Sequence, residues 1–184
     1  MVKEATYFTA FTGAGISTAS GIPDFRSGAD TALKTGAGCW EEAANIEKAR
    51  NEGKLANQPA NKREFFGKIQ KAFPSKAHMS LLELMDKGHL KHLISQNTDG
   101  LHRKSGIPAD KISELHGNTN LEVCKTCGNS YMRDFRVRTA KEAHDHITGR
   151  QCDDKTCEGD LYDSIINFKE PLDQAVLKKA REEG

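Results

Sequence analysis

Apolar and polar positions fall into short blocks along this chain. Tyr7 to Thr12 is an aromatic and β-branched run that predicts a buried strand, and it leads directly into the glycine-rich segment GAGISTASG at 13–21. His78, Leu81, Leu82 and Met85 recur at helical spacing behind Ser75, which predicts a capped helix over 76–87 with Gly88 beyond its end. Its stripe, His78 included as a packing residue, is expected to face a sheet. A strand from Leu90 to Ile94 follows, then the polar loop SQNTDGLH. KISEL at 111–115 predicts a further short strand, SIINF at 164–168 a strand of the same sheet, and DQAVLKKAREE at 173–183 a closing helix. Two more helices are expected, a polar one in EEAANIEKARNEG at 41–53 and an amphipathic one in KREFFGKIQKAF at 62–73, closed by Pro74. Helix, strand and polar loop in alternation give a doubly wound α/β domain with a Rossmann-like parallel sheet.

The chain has 184 residues, enough for one domain with a core and a small satellite module. With 27 basic and 26 acidic residues the formal net charge is +1, so no overall field draws the chain to nucleic acid or to an anionic membrane. No apolar run reaches membrane-spanning length and the N-terminus lacks a secretory pattern, which places the protein inside the cell. In that reducing setting its five cysteines read as metal ligands or free thiols. Cys124 and Cys127 form one knuckle, and Cys152 and Cys157 a second, wider one. Four thiolates from two knuckles satisfy a tetrahedral zinc ion with no open position, so the metal is expected to hold the fold rather than do chemistry. Cys39 is left over as a buried thiol, and Trp40 reads as a packing anchor. His144 and His146 fall in VRTAKEAHDHITG, which reads as a polar helix with solvent-facing histidines.

Two loops carry candidate chemistry. Gly13 and Gly15 follow a strand and precede a helix start, the geometry that brings backbone N–H groups up to a phosphate, although Gly21 comes too late for the full dinucleotide fingerprint. A plain strand-to-helix turn fits the same residues. PDFR at 23–26 adds an acid, an aromatic face and a guanidinium suited to a charged, partly aromatic ligand. Gln96, Asn97 and Asp99 fall at the carboxyl end of a strand, where open α/β sheets place ligands. His116 and His102 compete as a general base near neutrality. His116 is favoured because it ends a strand, whereas His102 is expected on the loop beyond the amide pair. The glycine-rich stretch from Ser27 to about Gln58 reads equally as a lid or as a surface excursion.

GAGIS at 13–17, GIPDFR at 21–26, SQNTDGLH at 95–102, ELHGN at 114–118 and the cysteine knuckles together resemble the sirtuins, NAD-dependent protein-lysine deacylases. KAHMSLLEL, HDHITGRQC and DLYDSIINF look most like the branch with nuclear, chromatin-associated members. The resemblance implies that NAD lies with its pyrophosphate against Gly13, Ala14, Gly15 and Ser17 near Arg26, with Asp24 mainly structural. It places nicotinamide in a pocket including Asn97 and Asp99, Gln96 at the ribose and Phe25 over the reactive carbon. In the family's mechanism the acyl-lysine oxygen attacks the ribose, nicotinamide leaves, and the histidine matching His116 deprotonates a ribose hydroxyl; Asn97 is counted with it as catalytic. Residues 1–118 are then the NAD-binding part with an excursion at about 27–75, 119–160 the zinc module, and 161–184 a returning strand and helix. The later loops and strands that hold adenosine in sirtuins are missing after Gly184, so the domain is expected to be truncated. An acylated protein lysine, a histone among the candidates, is the implied partner, and the nucleus the implied location. Mono-ADP-ribosyl transfer and a catalytically impaired zinc-containing interaction module are the alternatives.

Overall fold

A computed structural model describes residues 4–24, 52, 67, 69–140, 142 and 144–184. The expectations for Phe25, Arg26, Cys39, Trp40, the segment 27–58 and most of 62–73 lie outside the described residues. Three strands, β1 (Phe8–Thr12), β2 (Leu90–Ser95) and β3 (Ile112–Glu114), form a parallel sheet in the order β1-β2-β3. Helix α1 (Lys76–Asp86) is capped by Ser75, whose side chain accepts the His78 N–H while the His78 ring accepts the Ser75 N–H. This is a capping box with histidine in the place usually taken by Glu or Gln.

Successive residues of β2 point to opposite faces, and from His92 to Ser95 both faces are buried. Leu93, fully buried, packs with Ile107 and Ile112 against Leu81, Leu82 and Met85 of α1. Helix α3 (Gln174–Glu182), capped by the Asp173 carboxylate, follows the last loop. The residues that close it reach the sheet: Thr9 Oγ1 donates to the Glu183 carbonyl, and Tyr7 hydroxyl to the Glu183 carboxylate. Lys179 Nζ donates to the Asp110 carbonyl at 2.7 Å. Short helix α2 (Leu101–Ser105) leads from β2 towards β3.

A second, antiparallel sheet of β4 (Leu121–Cys124), β5 (Ser130–Met132), β6 (Ile147–Gln151) and β7 (Asp160–Asp163) runs in the order β5-β4-β7-β6. Its centre is ionic as much as apolar. Glu122 is fully buried and takes Arg133 Nε and Arg150 Nε at 2.8 Å each, so its burial is offset by two guanidinium groups.

Two expectations fail here. SIINF does not return to the parallel sheet: Ser164 N–H goes to the Leu121 carbonyl, Ile165 N–H to Asp163 Oδ1 and Ile166 N–H to the His116 carbonyl. With those donors engaged, β7 ends at Asp163 within the antiparallel sheet, three residues past the expected module boundary. Residues 137–149 hold no helix among those described; Ile147 begins β6. His146 is only 20% exposed at its side chain, its Nδ1 lying 3.1 Å from Asp163 and its Nε2 2.9 Å from Glu170. No helix among the described residues is long and apolar enough to cross a membrane.

Candidate active site and metal centre

The strand register decides where the chemistry sits. Thr12 lies opposite Ser95, and Ser95 opposite Glu114, so the three parallel strands end on one row. The segments that leave this row are Gly13 onward, Gln96 onward and Leu115 onward, at the carboxyl edge where open α/β sheets bind ligands. Gln96 N–H bonds the Thr12 carbonyl and Leu115 N–H the Ser95 carbonyl, which carries the ladder one step into each loop.

Above β1 the chain makes a 3-10 helix, Ala14–Ser20, closed by Gly21 at φ 83°. A Cβ on Gly13 or Gly15 would meet nothing within 4 Å, so both leave open space beside the turn. Asn97 Nδ2 donates to the Gly13 carbonyl at 3.0 Å, and Ser17 Oγ donates to Asp99 Oδ2 at 2.6 Å. Asp99 Oδ1 takes the Leu101 N–H that opens α2. Ser17 and Asn97 are thus buried, at 1% and 8% exposure, and tie the two loops together. Ala14 and Gly15 lie on the turn, Asp24 is partly buried beyond it, and Gln96 is exposed.

His116 stands two residues beyond β3, half-buried, with Nδ1 2.9 Å from the Gln96 carbonyl. A carbonyl only accepts, so the proton sits on Nδ1 and the Nε2 lone pair is left to take a proton. The turn beneath is locked from three sides. Gly117, at φ +77°, is so close to the next segment that a Cβ would stand 1.8 Å from the Ser164 carbonyl oxygen. Asn118 N–H donates to Ser164 Oγ, and Asn118 Nδ2 to Glu114 Oε1 at 2.7 Å. Burial pushes the Glu114 carboxyl up to about 7, against the pull of that amide and of Arg103. Glu114 and Asn118 escaped sequence reasoning. The acid three residues before a glycine, in ELHGN, was the available signal.

His102 is not on the loop. It is buried in α2, with Nε2 2.9 Å from Thr12 Oγ1 and its ring 4.7 Å from that of His78, and burial followed by the His78 charge pushes it down to about 3. At 2% exposure it has almost no surface open to solvent. Asp99 borders a cleft of about 370 Å3 with Leu101, Arg103, Asn120 and Arg133. A wider one of about 910 Å3, open to solvent, separates β3 and α3 from the antiparallel sheet and reaches Glu114 and Gly117.

Cys124 ends β4, Cys127 lies in the turn to β5, Cys152 follows β6, and Cys157 lies in the turn to β7. Their four Sγ atoms all lie within 4.8 Å of one another, with Cys124–Cys157 and Cys127–Cys152 at 3.6 Å. A tetrahedron with Zn–S bonds of about 2.3 Å has edges of about 3.8 Å, so this all-thiolate set fits such an ion. Gly159 makes room for it: a Cβ there would stand 2.8 Å from Cys124 Sγ.

Comparison with known proteins agrees with this geometry. The profile described as "Sir2 family" matches residues 13–183. The chain is 37% identical over 183 residues to NAD-dependent protein deacetylase SRT1 of Oryza sativa subsp. indica, covering 100% of this chain and 33% of that protein. To NAD-dependent protein deacetylase sirtuin-7 of Homo sapiens it is 38% identical over 173 residues, 92% of this chain and 36% of the relative. It therefore spans about a third of the length of these relatives. A solved complex of a Sir2 homologue with NAD superposes with TM-score 0.59 at 29% identity, covering 99% of this chain and 65% of that one. Sir2 bound to acetylated peptide does so with TM-score 0.58 at 28% identity, over 99% and 67%.

Proposed function

The chain belongs to the Sir2 family, and from that premise we propose that it is the part of an NAD-dependent protein-lysine deacylase that holds the base, the nicotinamide end of NAD and a structural zinc. The observation that carries the reading is the common row Thr12, Ser95 and Glu114, from which the Gly13 turn, the Asn97–Asp99 loop and the His116 turn all leave one sheet edge. Bound NAD supplies an ADP-ribose acceptor for the acyl group and nicotinamide as leaving group. The residues present fit it, because Gly13 and Gly15 leave space where side chains would otherwise stand.

Asn97 and Asp99 are the residues that would meet the nicotinamide, and their side chains are already tied to the Gly13 carbonyl and to Ser17. His116, with its Nδ1 proton held by the Gln96 carbonyl, presents Nε2 to a ribose hydroxyl and accepts its proton. Ala14, Gly15, Gln96 and, by resemblance, Phe25 and Arg26 complete the cofactor contacts, with Asp24 beside them in a mainly structural role. Cys124, Cys127, Cys152 and Cys157 hold zinc with no open position, so it braces the antiparallel sheet. The substrate is an acylated protein lysine. The proposal extends to a histone substrate and a nuclear location, and what supports them is the resemblance of KAHMSLLEL, HDHITGRQC and DLYDSIINF to the branch with nuclear, chromatin-associated members.

The test is an acyl-peptide assay with labelled NAD on this chain and on His116→Tyr. Acyl transfer to ADP-ribose should fall roughly 10²- to 10⁴-fold in the variant, with the fold unchanged by circular dichroism. Equal rates in both would refute the assignment of the base. Label transferred to protein with no loss of acyl group would instead establish ADP-ribosyl transfer.

A further inference from the structure

The surroundings of the four sulfurs are not equivalent. Cys124 is approached by the Cys127 N–H, Cys127 by that of Asn129 and Cys157 by that of Gly159, the short-range donors of tight turns. At Cys152 the donor is a side chain, the Tyr131 hydroxyl, 3.0 Å from Sγ. The sequence accounts for the difference. Two residues separate Cys124 from Cys127, whereas four separate Cys152 from Cys157. Cys152 also continues straight out of β6 with its own N–H given to the Gly159 carbonyl at 2.7 Å.

Tyr131 is held in that position by its neighbours. It lies directly opposite Glu122 in the β4–β5 pair, and the Arg133 guanidinium covers its ring at 4.9 Å. Arg133 in turn forks onto Asp153, the residue after Cys152, with two bonds of 2.8 Å, and bonds Glu122 with its Nε. The strand that carries the phenol and the knuckle that carries the sulfur are therefore fixed to each other. A metal-bound thiolate has no proton to give, so the phenol is the donor.

We propose that Tyr131 is the outer hydrogen-bond donor to the Cys152 thiolate of the metal centre, and that this bond limits the reaction of that sulfur with electrophiles and the release of the ion that follows. The proposal rests on the four-thiolate reading of the cluster. A hydrogen bond to a thiolate withdraws the lone pair that attacks an electrophile, and outer donors of this kind tune metal centres generally.

The experiment uses the zinc-loaded chain and its Tyr131→Phe variant, with excess N-ethylmaleimide and a chromogenic chelator. The sulfur lone pair adds to the alkene, the neighbouring carbon takes a proton from water, and the resulting thioether leaves the metal. Release should be roughly three- to tenfold faster in the variant, since part of a charge-assisted bond is no longer given up on the way to reaction. Peptide mapping should find Cys152 modified first. Equal release rates, or acceleration with Cys127 modified first, would overturn the proposal. In a Cys152→Ser background the Phe substitution should make no difference, and a persisting gap would mark a general loosening and count against it. A wild-type chain that folds without zinc would overturn the metal reading itself, which is a separate result.

Discussion

Glu114 ends β3 at one side of the site's supporting row, and its carboxylate should make this chain less stable as pH rises through neutrality. Burial lifts its pKa from 4.5 to about 7 in the fold. A carboxyl with a raised folded pKa contributes stability that is complete below its unfolded pKa and is lost as pH climbs through the folded one. The displacement corresponds to about 3 kcal/mol in full, an upper figure because the residue keeps some contact with solvent. About 1.4 kcal/mol of it falls between pH 6 and 8.5, a window in which zinc thiolates survive. Glu114→Gln removes the ionisation but keeps an oxygen for the Asn118 amide, the contact at 2.7 Å. Urea unfolding of both proteins across that window, with zinc present, should show the variant gaining on wild type by about 1 kcal/mol between pH 6 and 7 and levelling off by about pH 8. Glu114→Ala, which abandons the Asn118 amide, should lose stability at every pH. A wild-type to Gln difference that is flat with pH, or that narrows as pH rises, would refute the reasoning.

Gly117→Ala should cost about 2–5 kcal/mol in the same unfolding assay, because its Cβ would meet the Ser164 carbonyl and its φ is positive; a loss below about 1 kcal/mol would show that the 116–118 turn is free to move. Metal analysis should find one zinc per folded chain, and chelation should open the antiparallel sheet to proteolysis, since its centre is a charged Glu122–arginine cluster with little apolar core. Folded protein with well under one zinc, or a stripped chain that resists protease as before, would contradict this.

The parallel half was legible because burial on a sheet leaves a pattern. Leu81, Leu82 and Met85 recur at helical spacing, and Leu93 and Ile94 mark a strand buried on both faces, the two signals that α1 and β2 require. The antiparallel half has no such pattern. Its strands are three to five residues long and rely on sulfur and on ion pairs, so VRTAKEAHDHITG reads as polar helix although Thr148 is buried in β6 and His146 bridges two carboxylates. SIINF misleads for the opposite reason. Its apolar side chains suggest a strand, but strand formation needs free N–H groups, and those of Ser164, Ile165 and Ile166 are already bonded elsewhere.

At the site, residue types were readable and partnerships were not. Ser17, Asn97 and Asp99 stand out as polar residues after strands, yet their bonds run to one another and to the Gly13 carbonyl. Only the strand register, which puts Thr12, Ser95 and Glu114 on one row, brings segments more than 80 residues apart in sequence to a single edge. The same geometry explains why a half-buried base on a turn can stand still. His116 has little packing of its own, but its carbonyl holds Ile166, its neighbour Gly117 abuts Ser164, and Asn118 is bonded to both Ser164 and Glu114. Ser164 follows directly on β7, which pairs with the strand that ends in Cys124. The imidazole is thus positioned from one side by the parallel sheet and from the other by the cysteine-bearing sheet. A fold that places its proton acceptor on a turn needs both supports, because backbone hydrogen bonds at a strand end fix direction but leave the turn beyond them free to swing.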